Sequence, residues 1–357
     1  MTKEDFDTLT RSILSPSNEA AEEARQLQDR LTKPPGSLGH LESLGVQLSA
    51  IARMCPPPIP VPVTICVFAG DHGVLDAGVS PWPKEVTAQM VANFCAGGAA
   101  INVLARHVDA SVVVVDVGVS TPIPGDTANL VQRNVARGTA NLAVEPAMTT
   151  EQVLRALSVG VEIANDVIDQ GARMIVTGDM GIGNTTPSAA LIAALTATSP
   201  QLVTGRGTGI DDETLKVKTT VIETALKRLA PDASPLVILS EIGGLEIAAL
   251  AGFIIGGAAR GVPIVIDGVI SVAAALVATA FAPVARGYLI AGHRSSEPGA
   301  TVGLAHLGLT PVLDLSLRLG EGSGGALAVP IVQASAKVMR EMATFDSAGV
   351  SEIEGSS

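Results

Sequence analysis

From residue 61 to about 320 the chain alternates short apolar runs, each ending in glycine or an acid, with longer alanine-rich segments of helical period. The runs are Val63 to Ala69, Ser111 to Val117, Arg173 to Thr177, Pro235 to Leu239, Val262 to Ile266, Gly287 to Ala291 and Pro311 to Leu315. Near-continuous apolar runs suit strands covered on both faces, and their alternation with helices predicts an α/β fold. The expected architecture is a mostly parallel sheet with helices on both faces, a Rossmann-like three-layer arrangement, plus a small helical domain from both chain termini. Two amphipathic patterns open the chain, Phe6-Leu9-Ile13 and Ala20-Ala24-Leu27-Leu31, with Ser15-Pro16-Ser17-Asn18 as break and cap between them. A third helix runs to about Arg53, and the prolines from Pro56 to Pro62 end it. A last helix, roughly Ala326 to Phe345, carries Ile331, Ala334, Val338 and Met342 on one face and is expected to return onto the N-terminal helices, with the tail from Ser347 frayed. The expected division is residues 1–60 with about 324–357 as the small helical domain and 61–323 as the large α/β catalytic domain. The sequence GGAA occurs at 97 and at 256 and reads as two close helix contacts.

Composition narrows the function. Hydrophobic residues make up 47% and charged residues 16% of the 357, enough to fill a large core. The net charge of −12, with no run of Lys or Arg, excludes nucleic acid as an expected partner. Three cysteines, Cys55, Cys66 and Cys95, show no paired spacing, which argues against a disulfide framework or a zinc site and fits a cytoplasmic protein. The N-terminus lacks the apolar segment of a secretory signal. Residues 268 to 285 form an uncharged stretch of 18, near the lower limit for a membrane span; Gly268, Pro283 and the many alanines favour a buried helix over a membrane carrier.

The chemistry-bearing residues follow the strands. After Met174-Ile175-Val176 comes GDMGIGNTT, in which two spaced glycines, Asn184 and two threonines precede a helix. Glycines admit a ligand close to backbone N–H groups and a helix start favours negative charge, so this loop reads as an anion cradle. It is neither a Walker loop nor a dinucleotide fingerprint. A second cluster, Thr204-Gly205-Arg206-Gly207-Thr208-Gly209, precedes Asp211-Asp212 and then Lys216 and Lys218; it can hold the same phosphate from another side, with Lys218 as the candidate cation, Lys216 on a solvated face and the acids as a helix N-terminus. Glu321 lies in LRLGEGSGG, where glycines and Leu319 would leave its carboxylate partly desolvated and so raised toward the range of a general base; an exposed glutamate on a glycine loop is the other reading. Asp71-His72, Asp267, and His293 with Arg294 and Glu297 each read by themselves as loop caps. No His or Cys pair has metal-ligand spacing, so no metal site is expected.

Taken together, TKPPGSLGHLE, FAGDHGV, EVTAQMVANF, GGAAINVLAR, GDMGIGNTT, GRGTGIDD, IDGVISVAAAL, GHRSSEPG and RLGEGSGGALA, in this order over nearly the whole chain, resemble the nicotinate-nucleotide–dimethylbenzimidazole phosphoribosyltransferase family, which builds the lower ligand of cobalamin. The resemblance implies transfer of phosphoribose from nicotinate mononucleotide to 5,6-dimethylbenzimidazole, giving α-ribazole 5′-phosphate and nicotinate, with no cofactor and in a homodimer. It implies Glu321 as general base and Asp179 in a secondary catalytic role. It implies a phosphate and ribose site at Gly181, Gly183, Asn184, Thr185, Gly207, Lys218 and Ser295, and a base site at Ser80, Gln89 and Leu319. Trp82 is open to two readings, a stacking surface or a core residue. Asp179 departs from the family's best-known form, which has glutamate there, so its carboxylate is retracted by one methylene. A non-catalytic nucleotide sensor that lost turnover through this change is the alternative function.

Overall fold

In the computed structural model, which describes residues 1–124 and 127–351, six strands form one sheet in the order β3-β2-β1-β4-β5-β6, every neighbouring pair parallel. They are β1 Val63–Gly70, β2 Ala110–Gly118, β3 Leu130–Gln132, β4 Met174–Met180, β5 Ile264–Ile266 and β6 Leu289–Ala291. Val63 aligns with both Ala110 and Met174, so the three long central strands start level and end level.

Alternation along the strands sends side chains to two separate cores. Cys66, Phe68, Val115, Val117, Ile175 and Ile264 pack under the helices Thr150–Asp169, Leu245–Ala259 and Val269–Phe281, with Phe68 and Phe253 edge-to-face, their ring centroids 5.3 Å apart. Ile65, Val67, Val114, Met174, Val176 and Val265 pack on the other face beneath Glu85–Cys95, Ala100–His107 and Ser323–Glu341. The three expected layers are present. Helix 323–341 also reaches His40–Ala52 and Asn18–Arg30, where a Cβ on Gly45 would lie 2.6 Å from Met339 Sδ.

Five of the seven apolar runs contain strands. Pro235–Ile242 is instead a helix, because Pro235 occupies its first turn and the Ser234 hydroxyl accepts a hydrogen bond from the Val237 N–H at 3.4 Å. The run at Pro311 to Leu315 contributes a single bridge, Leu313 to His293. Conversely β3, on the sheet edge with Leu130 and Val131 half-buried and Gln132 exposed, carries no apolar run to announce it. The stretch at 268 is a core helix, buried at every residue from Val269 to Ala278. The frayed tail falls largely on residues 352–357, outside the described residues.

The two GGAA sequences have different roles. At 97 the glycine takes φ +79° in the turn between two consecutive helices and touches both, its carbonyl accepting from Arg106 at 3.1 Å and a Cβ on Gly98 falling 2.5 Å from Asn93 Oδ1, so this copy is a tight turn and not a crossing of helices. At 256 the helix crosses Thr150–Asp169 so tightly that a Cβ on Gly256 would lie 2.8 Å from Ala164 Cβ. Gly160 and Gly252 complete this crossing, their Cβ positions falling 1.8 Å from the Ala249 carbonyl oxygen and 2.0 Å from that of Leu157. Gly160→Ala should therefore lower unfolding stability by about 3 kcal/mol, since backbone cannot yield as a side chain can. Urea denaturation reads this, and an unchanged midpoint would show that the helices can separate freely.

Candidate active site

The loops beyond the carboxyl ends of β1, β4, β5 and β6 meet over a cavity of about 380 Å³. This is where open parallel sheets present ligand sites. Asp179, Gly181, Asn184, Thr185, Gly207, Ser295, Leu319 and Glu321 all line it, so the structure brings together most of the residues singled out from sequence.

Glu321 is held in an unusual backbone state. Its φ is +65°, between Gly320 at +80° and Gly322 at +93°, and a non-glycine residue is sterically strained there. Three contacts fix this turn. The Asp267 carboxylate accepts the Gly322 N–H at 3.1 Å and the Gly325 N–H at 2.9 Å, capping helix Ser323–Glu341 from a different strand. The Ser323 hydroxyl donates to the Gly320 carbonyl at 2.7 Å. Beneath, a Cβ on Gly178 of β4 would lie 2.5 Å from the Glu321 carbonyl oxygen, so only glycine admits the turn. The side chain is 5% exposed, and Oε2 accepts the Ile101 N–H at 3.2 Å, from the first turn of Ala100–His107. Burial raises the Glu321 pKa above the ordinary carboxylate value; the Ile101 hydrogen bond opposes this and Asp267 adds to it.

Asp179, at the end of β4, accepts the Asn184 side-chain N–H at 3.0 Å on Oδ2, while Oδ1 has no hydrogen-bond partner among the described residues. Both oxygens face Gly320, whose Cβ would approach them to 3.1 and 3.2 Å. Burial, then the negative charge of Asp267, hold its pKa well above the usual carboxylate range; Asn184 opposes, and Glu246 and Glu321 reinforce.

Gly181 to Thr185 turn from β4 into helix Thr185–Thr196, with Gly183 at φ +88°. Across from them Lys218 is 1% exposed, its Nζ donating to the Thr185 hydroxyl at 2.8 Å and the Gly205 carbonyl at 3.1 Å. Burial lowers its pKa to about 8, against the opposing charge of Glu297. Gly183 and Lys218 border a smaller pocket of about 40 Å³ that adjoins the main cavity through Gly181, Asn184 and Thr185. Gly207 lies at φ +52°, but its N–H donates to Glu297 Oε1 at 2.8 Å and its carbonyl accepts from Arg318 at 2.7 Å. Its amide is thus engaged within the protein, and Glu297 and Arg318 emerge as supports of the second glycine cluster. Asp211 caps helix Asp212–Leu226 by accepting the Thr214 N–H at 2.8 Å, and Lys216 is exposed, as read from sequence.

The apolar end is formed by Trp82, Val86, Met90 and Leu319. Trp82 is 49% exposed and lines the cavity, so it is no core residue. Ser80 borders the small pocket, with its hydroxyl accepting the Trp82 N–H at 3.3 Å. Gln89 is exposed and absent from the lining, because Val86 and Met90, one helical turn apart, hold the inward face of Glu85–Cys95. Among the residues read as loop caps, His293 and Glu297 line the cavity, whereas Arg294 pairs with Asp314 at 3.5 Å on the surface. His72 lies outside the lining, buried against Glu246 at 2.8 Å, with Gly181 packed over it. Ile101 had no sequence signal, since a backbone donor leaves none.

Comparison with known proteins gives one answer. A family model described as a phosphoribosyltransferase matches residues 13–350. A protein of Salinispora tropica named nicotinate-nucleotide–dimethylbenzimidazole phosphoribosyltransferase is 53% identical over 358 residues, covering 96% of this chain and 98% of that protein. One of the same name from Chloroflexus aurantiacus is 54% identical over 334 residues, covering 93% and 95%. A crystal structure of the enzyme of that name from Thermus thermophilus aligns with a TM-score of 0.91 at 46% identity, covering 94% of this chain and all of that one.

Proposed function

The chain belongs to the nicotinate-nucleotide–dimethylbenzimidazole phosphoribosyltransferase family, and on that premise we propose how its cavity transfers phosphoribose from nicotinate mononucleotide to 5,6-dimethylbenzimidazole in cobalamin lower-ligand assembly. The observation that carries the assignment is the desolvated Glu321 carboxylate in the same cavity as the 181–185 glycine turn, which adjoins Lys218.

The nucleotide phosphate lies in the turn, against the amides of Gly181 to Thr185, with Lys218 supplying charge. This fixes the sugar before chemistry and lets binding energy be used for orientation. The bond from C1′ to the pyridinium nitrogen breaks with its electron pair going to nitrogen, so the leaving group departs as a neutral ring bearing its carboxylate. A ring nitrogen of dimethylbenzimidazole donates its lone pair to C1′ from the opposite face, and the β configuration becomes α. The proton on the other ring nitrogen passes to Glu321. Burial and the neighbouring acids raise the Asp179 pKa; the positive charge of the bound pyridinium and of the oxocarbenium-like sugar opposes that shift and favours the carboxylate that stabilises it. The shorter aspartate serves here because its carboxyl already abuts Gly320. Trp82, Val86, Met90 and Leu319 receive the methylated ring.

Purified protein incubated with both substrates should yield α-ribazole 5′-phosphate by chromatography, and Glu321→Gln should lower kcat by on the order of 10²- to 10⁴-fold. Full activity in that variant would remove Glu321 from its role. The profile of kcat/KM against pH should be bell-shaped. Glu321 must be ionised, and its raised pKa lifts the acid limb above that of an ordinary glutamate. Lys218 must be protonated, so activity should fall as pH rises through about 8. Lys218→Met should abolish the alkaline limb while raising KM for the nucleotide, and a limb that survives would assign it elsewhere.

We also propose a cytoplasmic homodimer. Three unpaired cysteines support the compartment. Exposed Leu14 and Met54, brought into one region by the hydrogen bond from Arg53 to the Ser15 carbonyl, support association. Light scattering should return twice the mass of one chain, and a single-chain mass would contradict it.

A further inference from the structure

The glycine turn between β4 and helix Thr185–Thr196 does not leave all of its amides free for a ligand. The Asn184 N–H donates to the Gly181 carbonyl at 3.1 Å, and the Thr186 N–H donates to the Gly183 carbonyl at 3.0 Å. The Ile182 N–H leaves the turn altogether and donates to the Thr87 hydroxyl at 3.2 Å. What remains are the N–H groups of Gly183 and Thr185, which have no hydrogen-bond partner among the described residues. Both residues line the small pocket beside Lys218. Successive amides that alternate in this way, one engaged and the next free, form a concave set of donors suited to an anion.

Thr87 comes from a distant part of the chain. It is the third residue of helix Glu85–Cys95, is fully buried, and lines neither the main cavity nor the small pocket. A hydroxyl inside a helix commonly donates back to the carbonyl four residues earlier. Ser188 does so to Asn184 at 2.8 Å, and Ser49 to Gly45 at 3.0 Å. The Thr87 hydroxyl instead accepts a donor from outside its helix. Its neighbours Val86 and Met90 form part of the apolar end of the cavity, so one helix serves both the acceptor wall and the phosphate turn.

The peptide unit that joins Gly181 to Ile182 is thus held at both ends, its N–H by Thr87 and its carbonyl by the Asn184 N–H. The remaining supports of the turn act by shape alone. A Cβ on Gly183 would lie 3.0 Å from Leu75 Cδ2, and a Cβ on Gly181 would lie 3.3 Å from His72 Nε2. Such packing limits where the turn can sit but leaves rotation of that peptide open. A buried N–H that loses its acceptor is unfavourable, so without Thr87 the peptide would turn to find another, breaking the Asn184 bond and the alternation of free amides with it.

We propose that Thr87 is a positioning residue for the phosphate. By accepting the Ile182 N–H it holds the turn so that the Gly183 and Thr185 N–H groups converge on one anion, without itself touching substrate. The inference rests on the phosphate site assigned above and names the residue that shapes it.

Calorimetry with nicotinate mononucleotide and with its riboside, the same molecule lacking the phosphate, gives the ratio of affinities that the phosphate contributes. The ratio is measured for the wild type and for Thr87→Val, Thr87→Ala and Thr87→Ser. The first two variants remove the acceptor, whereas Thr87→Ser keeps it and gives up a methyl group. The ratio should fall roughly fivefold to tenfold in the first two, the worth of one hydrogen bond, and stay within about twofold of the wild type in Thr87→Ser. Riboside affinity and the KM for dimethylbenzimidazole should not change, while the KM for the nucleotide should rise in step with the lost ratio. A residue that only filled space would give the reverse order, because Thr87→Val keeps the volume that Thr87→Ser removes. A ratio retained in Thr87→Val and Thr87→Ala overturns the inference, and so does a loss in Thr87→Ser as large as theirs. If neither of the first two folds, amide hydrogen exchange in the wild type decides. An Ile182 amide slower than those of Gly183 and Thr185 supports the inference, and one that exchanges as fast overturns it. A wild type that binds mononucleotide and riboside equally contradicts the phosphate site itself; a wild type that favours the mononucleotide by a ratio the variants do not move contradicts only the role of Thr87.

Discussion

The turn that carries Glu321 is held by one carboxylate from elsewhere in the sheet. Asp267 follows β5 and engages both oxygens with the N–H groups of Gly322 and Gly325, tying the left-handed run 320–322 to the strand ends. Without such an anchor a glutamate at positive φ would relax to a less strained conformation and its carboxylate would swing out of place. Gly178 supports the same turn from below by lacking a side chain, and Ile101 meets the carboxylate from the side with a helix-start amide. The proposed base is therefore positioned by three segments far apart in sequence, which is what a preorganised site requires.

This arrangement concentrates acids. Burial first, and then the charges of Asp267, Glu246 and Glu321, hold Asp179 well above the usual carboxylate range. Such crowding would disfavour an anion, yet it suits a reaction that begins with a pyridinium and passes through an oxocarbenium-like sugar. The proposed site for the anionic end of the nucleotide is kept apart, at Lys218 and the glycine turn, while Glu297 and Arg318 hold Gly207. On that proposal, separation of the two charge environments within one cavity makes a single substrate, positive at one end and negative at the other, bind in one direction.

Much of this is legible in sequence, for reasons that differ by element. Strands β1, β2 and β4 announce themselves because burial on both faces leaves almost no polar position. The helix Pro235–Ile242 reads as a strand because five apolar residues cannot distinguish a strand from one face of a helix, and the decisive signal is Ser234 followed by proline. The turn 181–185 is readable because glycine and asparagine mark backbone conformation directly. Resemblance puts Gln89 in the base site, whereas helix phase turns it outward from Val86 and Met90. Gly207 does belong to the second cluster, but sequence cannot show that its amide already has a carboxylate. Least legible are contacts that join distant strands, such as Asp267 with residues 322 and 325, and His293 against the start of the 269–281 helix, since each becomes a pair only after the sheet is assembled.

The most direct examination of Glu321 as the base is a crystal structure with α-ribazole 5′-phosphate bound. A Glu321 carboxylate oxygen should lie at about 3 Å from the free benzimidazole nitrogen, with the phosphate on the amides beginning at Gly181. A ligand whose base lies away from residue 321, with that carboxylate still turned to Ile101 and no water between them, would contradict it.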